Sequence, residues 1–393
     1  MLKYISKTVW ILSLVSLFTD VASEMLYPVM PIYLKSIGFS IVLIGVLEGL
    51  AEAAAGLSKG YFGKLSDSMG RRVPFVQIGY ALSGISKPLM AFFIHPVWVF
   101  FVRTIDRLGK GIRTGARDAL LSDEATPETK GKIFGFHRAM DTLGAAIGPT
   151  LALLFLWLYP GQYTLLFYIA FIPGMLALIS SFLLKESVKS KSTTSKKPHS
   201  FFTSFTYLKS APSTYKKIVT GLLFFTLFNS SDVFLLLQLK QAGLTDTNII
   251  GTYIFYNLVY AILAFPLGVL ADKLGLRQVF IMGLGLFAIV YFGFAFSSHW
   301  LIFLVLMFVY GAYSAATEGI AKAWLSNAVP KSETATAIGS YAGLQSLCTL
   351  LASSMAGIIW YRFGSTTTFM ITGITSVICL MYFMFLKTEK AKS

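Results

Sequence analysis

The sequence of 393 residues is 55% hydrophobic and only 13% charged, whereas an ordinary soluble domain is about 25% charged. Together with a mean hydropathy of +0.69, this composition excludes a large soluble protein and indicates a membrane protein. A net charge of +15 is typical of nucleic-acid-binding proteins. Here, however, the Lys and Arg residues gather in short loops between apolar runs, so no nucleic-acid partner is predicted. Cys348 and Cys379 lie inside apolar runs and provide neither a disulfide framework nor a metal-binding spacing.

Twelve apolar segments follow one another, each near the roughly 20 residues that a helix needs to cross the hydrocarbon layer. These runs are too long for tilted strands, so the sequence predicts an all-α membrane protein with twelve transmembrane helices. The first segment resembles a signal peptide but continues past Asp20, and we expect it to remain uncleaved. The predicted spans are 8–35, 41–62, 73–94, 97–120, 132–158, 163–184, 216–239, 248–270, 278–297, 300–326, 334–360 and 367–386.

The basic residues are divided unequally between the two sets of alternating loops. One set of loops, with the termini and the segment 185–215, is rich in Lys and Arg, while the opposite set has only Lys35, Lys240 and Arg362. The positive-inside rule therefore predicts that both termini and the segment 185–215 are cytoplasmic. This segment is rich in Ser, Thr and Lys and is predicted to be a flexible basic linker between two bundles of six helices, 1–184 and 216–393.

The two halves repeat one another at a constant distance along the chain. The pattern Gly-x-x-x-Asp-x-x-Gly-x-Arg occurs at 63–72 and again at 268–277, and 268 − 63, 272 − 67 and 277 − 72 all equal 205. Gly38 and Gly243 show the same offset, since 243 − 38 equals 205. These matches indicate an internal duplication. Parallel repeats of this kind place a binding site between the halves, near the middle of the bilayer.

The loop at 63–72 resembles the signature loop of the major facilitator superfamily. The resemblance implies two six-helix repeats that work by alternating access, and a cytoplasmic conformational latch formed by Gly63, Asp67, Gly70, Arg71, Arg72 and Asp272. Gly144, Gly148 and Pro149 resemble the start of the antiporter motif of the proton-coupled exporters in this family. Ala152 and Leu153 stand where that motif continues with a Gly pair. Arg103, Asp106 and Gly109 resemble the helix-four motif of the same exporters, although Asp106 and Arg107 replace its Gln and Gly.

Several acidic residues lie at membrane depth, where a charge costs about 2.5–3.5 kcal/mol on insertion scales and usually faces a wet cavity or a partner. Asp20 and Glu24 share one face of the first helix, and His137 and Asp141 share one face of the fifth. A carboxyl in such a cavity suits proton transfer, as does a histidine, which titrates near neutrality. A structural ion pair remains the alternative, for Glu52 above all. The predicted proton-coupling residues are Asp20, Glu24, Glu52, Asp106, His137 and Asp141, and we expect Glu24 and Asp141 to exchange the protons.

The fourth predicted helix carries a cationic stripe, with Arg103, Arg107, Lys110 and Arg117 on one face. Such a stripe needs carboxylates or an anionic substrate to neutralise it. The second half has fewer charges. The predicted substrate-binding residues are Arg103, Arg107, Arg138, Asn229, Asp232 and Glu318.

No phosphate-binding GxxxxGK[ST], HExxH or nucleophile-elbow motif occurs, so neither an enzyme nor a cofactor is predicted. We expect a monomeric carrier in the bacterial inner membrane, whose partners are the lipid bilayer, protons and a small-molecule substrate. The predicted function is proton-coupled export of a small polar or anionic organic molecule, such as a drug-like compound or a siderophore. Proton-driven uptake of a metabolite, export of a divalent metal bound near His137, and a non-transporting membrane sensor are the alternatives.

Overall fold

The computed structural model describes residues 5–27, 29–30, 33–34, 37–39, 41–186, 203–229 and 232–386. Side chains are described throughout these ranges except at 41–50, 52–53, 203–205 and 246–247. Every regular element in these ranges is helical. The helices are α1 (Lys7–Leu26), α2 (Ile41–Met69), α3 (Val73–Phe92), α4 (Pro96–Asp123), α5 (Lys130–Leu158), α6 (Tyr163–Ser181), α7 (Thr203–Ser210), α8 (Ser213–Phe228), α9 (Asp232–Gln241), α10 (Asp246–Leu274), α11 (Leu276–Phe296), α12 (Trp300–Asn327) and α13 (Thr334–Phe385), with a 3-10 turn at Lys331–Glu333.

The helices differ from the predicted spans at two places in the chain. The seventh is divided into α8 and α9, because the backbone at Asn229 is extended. The last two are joined in α13, which is interrupted at Gly364, where φ is +85° and ψ is 171°. That conformation is open to glycine and strained for other residues. Apart from the short α7, which lies within the predicted linker 185–215, and counting α8 with α9 as one span and α13 as two, the helices follow the predicted order of the twelve spans along the chain.

Eight helical runs among the described residues are long and apolar enough to cross a membrane. One is Ser213–Gln241, and another, Lys331–Phe385, holds both of the last two predicted spans. The helix α4 is not among the eight, because charged side chains interrupt it from Arg103 onward. Its charges make α4 the polar helix of its bundle.

Local sequence determines where several helices begin. Ser6 accepts a hydrogen bond from the Val9 amide at the start of α1, and Thr245 accepts one from Asn248 at the start of α10. Helix α4 follows His95-Pro96, and the His95 Nδ1 atom accepts from the Val97 amide at 3.3 Å. At α12, His299 accepts from Leu301 in the same way at 3.4 Å. These two caps are alike, although 299 − 95 equals 204 and so differs by one from the 205-residue offset of the repeat.

The chain separates into two compact units, and each unit includes a short segment from the other half of the sequence. Unit 1 consists of Met1–Ala125, Met140–Ser210 and Pro330–Leu344, and unit 2 of Thr126–Ala139, Ala211–Val329 and Gln345–Ser393. The first turns of α5 therefore pack with the second half, and the first turns of α13 pack with the first half. Thus α5 and α13, whose first turns lie in these two segments, each contact both halves of the sequence.

Each unit has its own apolar interior. In unit 1, a buried cluster joins α1, α3, α4, α5 and α6 through residues such as Met25, Met90, Val102 and Phe167. In unit 2 the interior is aromatic, and the rings of Phe287 and Tyr291 are stacked with their centroids 4.2 Å apart. Many large apolar side chains remain exposed, including Trp157 at 77% and Ile262 at 63%. Exposed apolar surface on this scale indicates contact with lipid.

Candidate functional site

A buried ion cluster lies where α3 packs against α4. The carboxylate of Asp106 accepts from Lys87 Nζ at 2.8 Å and from Arg103 Nη1 at 3.2 Å. The Ser86 hydroxyl donates to the same carboxylate at 3.1 Å. Lys87, Arg103 and Asp106 are each less than 9% exposed. Two cations therefore hold one carboxylate away from water, which is the arrangement of a structural ion cluster.

Arg113 and Arg117, nearer the end of α4, are also held by neighbours in unit 1. Arg113 donates to the Ser83 hydroxyl at 2.8 Å and lies over the ring of Tyr80, 4.5 Å from its centroid. Arg117 forms an ion pair with Asp118 at 2.9 Å, and Asp118 is fully buried. The cationic stripe is thus partly neutralised within its own helix by Asp106 and Asp118, while α3 provides uncharged partners for Arg113.

Helices α1 and α5 approach one another closely at two glycines. A Cβ atom on Gly144 would lie 2.5 Å from the carbonyl oxygen of Leu17, and one on Gly148 would lie 2.7 Å from that of Val21. Because real Cβ contacts are longer than this, only glycine permits the approach at these two positions. The backbones consequently bring the acidic residues of α1 to face those of α5.

The carboxyl groups of Asp20 and Asp141 meet at this helix contact. Asp20 on α1 hydrogen-bonds to Asp141 on α5, and the Ser16 hydroxyl, one turn before Asp20, donates to Asp141 Oδ1. Arg117 Nη1 lies 3.4 Å from the same hydroxyl. Two carboxyl groups joined by a hydrogen bond must share a proton, since two carboxylates offer only acceptors. The pair is therefore chemically suited to take up and release a proton.

Glu24 lies one turn beyond Asp20, on the same face of α1, and is half-buried. It lies within electrostatic range of Lys110 and Arg107 of α4. Arg107 is half-buried and Lys110 is exposed. These three side chains are thus more accessible to solvent than Lys87, Arg103 and Asp106.

The end of α2 binds the start of α13 through Asp67. Its Oδ2 atom accepts from the Thr336 amide at 2.7 Å and from the Thr336 hydroxyl at 2.8 Å, which satisfies an amide in the first turn of a helix. Gly63 lies against the Ala335 carbonyl at a distance that leaves no room for a side chain. Arg72 donates to Asp67 at 3.1 Å, to the Lys331 carbonyl at 3.1 Å, and to Asp123 at the end of α4.

The end of α10 binds the start of α5 in the same manner. Asp272 accepts from the amides of Gly131 and Lys132 at 2.7 and 2.8 Å, and Gly268 lies against the Gly131 carbonyl. The partners also obey the offset of the sequence repeat, because 336 − 131 equals 205, as 272 − 67 does. The two contacts are thus copies of one device, the first inside unit 1 and the second inside unit 2.

Comparisons with known proteins agree with this architecture. The sequence profile of the Major Facilitator Superfamily matches residues 12–255 and 240–393. The chain is 32% identical over 391 residues to an uncharacterised MFS-type transporter of Methanocaldococcus jannaschii, covering 97% of this chain and 95% of the relative. The chain belongs to the major facilitator superfamily. It is therefore a multi-pass membrane protein, with twelve transmembrane helices in two six-helix repeats.

A relative that is named for its activity and two solved structures extend the comparison. The chain is 27% identical over 168 residues to the quinolone resistance protein NorA of Staphylococcus aureus, covering 43% of this chain and 42% of NorA. The human organic anion transporter MFSD10 has a similar fold, with a TM-score of 0.80 at 14% identity, covering 96% of this chain and 98% of that one. The proton:xylose symporter XylE gives 0.72 at 15% identity, covering 96% and 95%. At such identities, the two structures support the fold alone.

The predicted site residues of the second half, Asn229, Asp232 and Glu318, lie in unit 2. The start of α5 adds His137 and Arg138 to the same unit. Arg138 forms an ion pair with Glu318 on α12, and its Nε atom donates to the Tyr260 hydroxyl at 2.6 Å. Asp232 begins α9 and accepts from the Tyr310 hydroxyl. His137 is buried, whereas Asp141 contacts Ser16 and Asp20. No group of three or more His, Cys, Asp or Glu residues in the described part of the chain could hold a metal ion.

Some predicted residues lie outside this network or outside what the structure describes. The side chain of Glu52 is among those not described. Arg71 is exposed, whereas Gly70 has a φ of +62° and ends α2 with a left-handed turn. Pro149 lies inside α5, directly after the contact glycine Gly148.

Lys87 and Ser16 belong to the charged network but were not predicted from the sequence. Lys87 is a single cation within the apolar run of α3, and a signal was available, because an isolated charge at membrane depth usually has a partner. Ser16 gave no signal, since serine is common in transmembrane helices. Glu186 was also missed. It follows α6 and accepts from the amides of Arg72 and Val73 at 2.8 and 3.0 Å, which caps α3.

Proposed function

We propose that the protein is a proton-coupled secondary transporter that exports a small polar organic molecule. The observation that carries this proposal is the hydrogen-bonded pair of Asp20 and Asp141 at the contact of α1 and α5. A proton is retained while the two carboxyl groups are together. Separation of the groups, or approach of a cation such as Lys110, favours its release. A small movement of α1 against α5 is then sufficient to couple a conformational change to protonation.

The buried ion cluster has a different role in this scheme. Asp106 is held by Lys87 and Arg103, and a carboxylate between two cations retains its negative charge. We therefore assign Asp106 and Arg103 to the framework, and we assign the solvent-accessible Arg107 and Lys110 to substrate contact. Glu24, which lies in electrostatic range of both, is the acid that a polar or anionic substrate would displace.

The two Asp-capped contacts serve as the conformational latch. With both termini in the cytoplasm, as the distribution of Lys and Arg favours, Asp67 and Asp272 lie on the cytoplasmic side of a bacterial inner membrane. Each contact ties a segment of one sequence half to the other. The latches would hold the cytoplasmic side closed, and their rupture would accompany the rocking of the repeats in alternating access. Export rather than uptake is supported by the likeness to a quinolone resistance protein.

Transport by purified protein in liposomes tests this proposal. Vesicles with an imposed pH gradient are supplied with a panel of small polar, anionic and cationic compounds, and intravesicular pH and compound uptake are recorded together. The expected result is movement of at least one compound against its gradient, with protons moving in the opposite direction. Protons moving in the same direction would establish symport, and accumulation that ignores the pH gradient would overturn proton coupling.

A further inference from the structure

The seventh span is broken at a point where two polar side chains lie close together in the sequence. Helix α8 ends at Asn229, whose backbone has φ −81° and ψ 107°, and α9 begins at Asp232. Breaks of this kind in transporter helices occur where the chain lines a binding site. Asn229 and Asp232 are both only partly buried as residues.

Helix α12 holds both side chains on one of its faces. The Tyr310 hydroxyl donates to Asp232 Oδ1 at 2.5 Å, and Asn229 Nδ2 donates to the Tyr313 hydroxyl at 3.5 Å. Tyr310 and Tyr313 are three residues apart in a helix and so lie on the same side, with ring centroids 5.3 Å apart. The tyrosine side chains are themselves buried, so they provide a rigid support for the two acceptors.

The oxygen atoms at this break lack a positive partner. Asn229 Oδ1 is buried and accepts no hydrogen bond. The groups that act on the buried Asp232 carboxylate are the Tyr310 hydroxyl and its own backbone, and no Lys or Arg of the described residues is among them. A buried acceptor with no donor is rare in proteins and marks the place of a missing polar group. A buried carboxylate without a cationic partner is stabilised when a positively charged group is placed beside it.

We propose that Asn229 and Asp232 bind the ammonium group of the transported molecule. An ammonium group has three donors and no acceptor, which suits the Asp232 carboxylate, the Asn229 amide oxygen and one further oxygen. This inference rests on the proposed transport function and adds the charge class of the substrate. It differs from the anionic substrate expected from α4, whose Arg107 and Lys110 then contact another part of the molecule.

Binding to the purified full-length protein tests the ammonium site directly. The probe is 2-phenylethylammonium, and the control is the neutral analogue 2-phenylethanol, both measured by calorimetry in potassium buffer. The wild type is expected to bind the ammonium compound at least tenfold more tightly than the alcohol, because hydrogen bonds to charged groups are the stronger ones. Asp232→Asn is expected to remove this preference, and Asn229→Leu, which keeps the size but not the acceptor, to weaken it about tenfold.

Tyr361→Phe is the control variant. It removes the same hydroxyl from a tyrosine on α13 that is 90% exposed and is not part of the site, so it is expected to retain the preference for ammonium. Equal binding of the two probes by wild type, or an undiminished preference in both Asp232→Asn and Asn229→Leu, would overturn the assignment. Competition of Na⁺ with the probe at millimolar concentration, lost in Asp232→Asn, would instead identify a metal-ion site and overturn it as well.

Transport measurements separate this inference from the proposed function. Selective ammonium binding without flux in liposomes would retain the site and contradict transport. Proton-coupled flux that is identical in wild type and Asp232→Asn would retain transport and contradict the site.

Discussion

The carboxylate of Asp67 accepts two hydrogen bonds from Thr336, although 269 residues separate them in the sequence. One comes from an amide in the first turn of α13 and the other from the Thr336 side chain. Asp272 repeats the arrangement with the amides of Gly131 and Lys132 at the start of α5. A negative charge at a helix N-terminus is stabilising, typically by about 0.3–1 kcal/mol. That energy is large enough to bias two conformations and small enough to be overcome in each cycle.

Asp67→Asn is expected to reduce transport severalfold while leaving yield and unfolding temperature nearly unchanged. The amide side chain can still accept from Thr336, but it loses the charge that stabilises the helix end and the ion pair with Arg72. Flux in liposomes and thermal unfolding are measured on the same preparations. Asp272→Asn is the matched variant and is expected to impair transport less, since the segment 268–277 is the more divergent copy of the repeated pattern. Flux of Asp67→Asn equal to that of wild type would rule out the latch role.

Gly148→Ala is expected to destabilise the protein by about 1–3 kcal/mol, the usual cost of overpacking. The new Cβ would meet the backbone oxygen of Val21 and the backbone nitrogen of Met25, both at 2.7 Å. Gly251→Ala is the control, because a Cβ on Gly251 in α10 would have no neighbour within 4 Å. That change should be neutral or stabilise by about 0.5–1 kcal/mol. Chemical unfolding in detergent compares the two, and similar stabilities would contradict the close approach of α1 and α5.

The ion cluster around Asp106 predicts a non-additive pair of substitutions. Asp106→Asn leaves Lys87 and Arg103 buried without a carboxylate and is expected to cost about 3–5 kcal/mol. Lys87→Met is expected to cost less, because Arg103 still neutralises Asp106. The double variant should be more stable than the sum of the single effects predicts. Exposed Lys209→Met serves as the control and should change stability by no more than about 0.5 kcal/mol. Strict additivity would show that Lys87 and Asp106 do not interact.

The sequence was sufficient to predict the family and the order of the spans, because apolar length and the 205-residue repeat are local patterns. The two aspartates that we propose as latch residues were also identifiable, since Asp67 and Asp272 occupy matching places in the two repeats. Their partners at Thr336 and Gly131 were not, because pairing across 269 or 141 residues depends on tertiary packing. The break at Asn229 was missed because it lies inside an apolar run with no proline, whereas the interruption at Gly364 falls in the predicted connection between spans 334–360 and 367–386.

The acidic residues show the same limit more sharply. Helical spacing placed Asp20 and Glu24 on one face of α1, but it could not decide which of them would meet Asp141. The decision comes from Gly144 and Gly148, which fix the register of α5 against α1. The sequence predicted that Glu24 and Asp141 exchange the protons, and the contact of Asp20 with Asp141 is the reason that we propose Asp20 in place of Glu24.

Fusion of a reporter after Lys191 or after Lys390 tests the predicted topology. Both positions follow an even number of predicted spans and belong to the Lys-rich set of segments. A reporter that is active only in the cytoplasm is expected to be active at both sites. A fusion after Lys240, in the opposite set, is the control and should be inactive. An active fusion after Lys240 would contradict the predicted orientation.

The pair Asp20 and Asp141 leads to the most demanding prediction. Asp141→Asn removes an ionisable group but keeps a side chain that can hydrogen-bond to Ser16 and Asp20. It is expected to abolish accumulation driven by a pH gradient, while exchange of substrate between two equally loaded compartments continues. Asp20→Asn should have the same effect, since either change leaves a single carboxyl that has no partner with which to share a proton.

Glu24→Gln distinguishes this pair from a general requirement for acids on α1. Glu24 lies in range of Arg107 and Lys110, so its loss is expected to alter the apparent affinity for substrate more than the coupling to protons. Flux is normalised to folded protein, measured as the monodisperse fraction on size-exclusion chromatography. Full proton-driven accumulation by Asp20→Asn and Asp141→Asn would assign the two carboxyls to charge balance against Arg117, and would leave Glu24 as the remaining acid on α1 that could carry the proton.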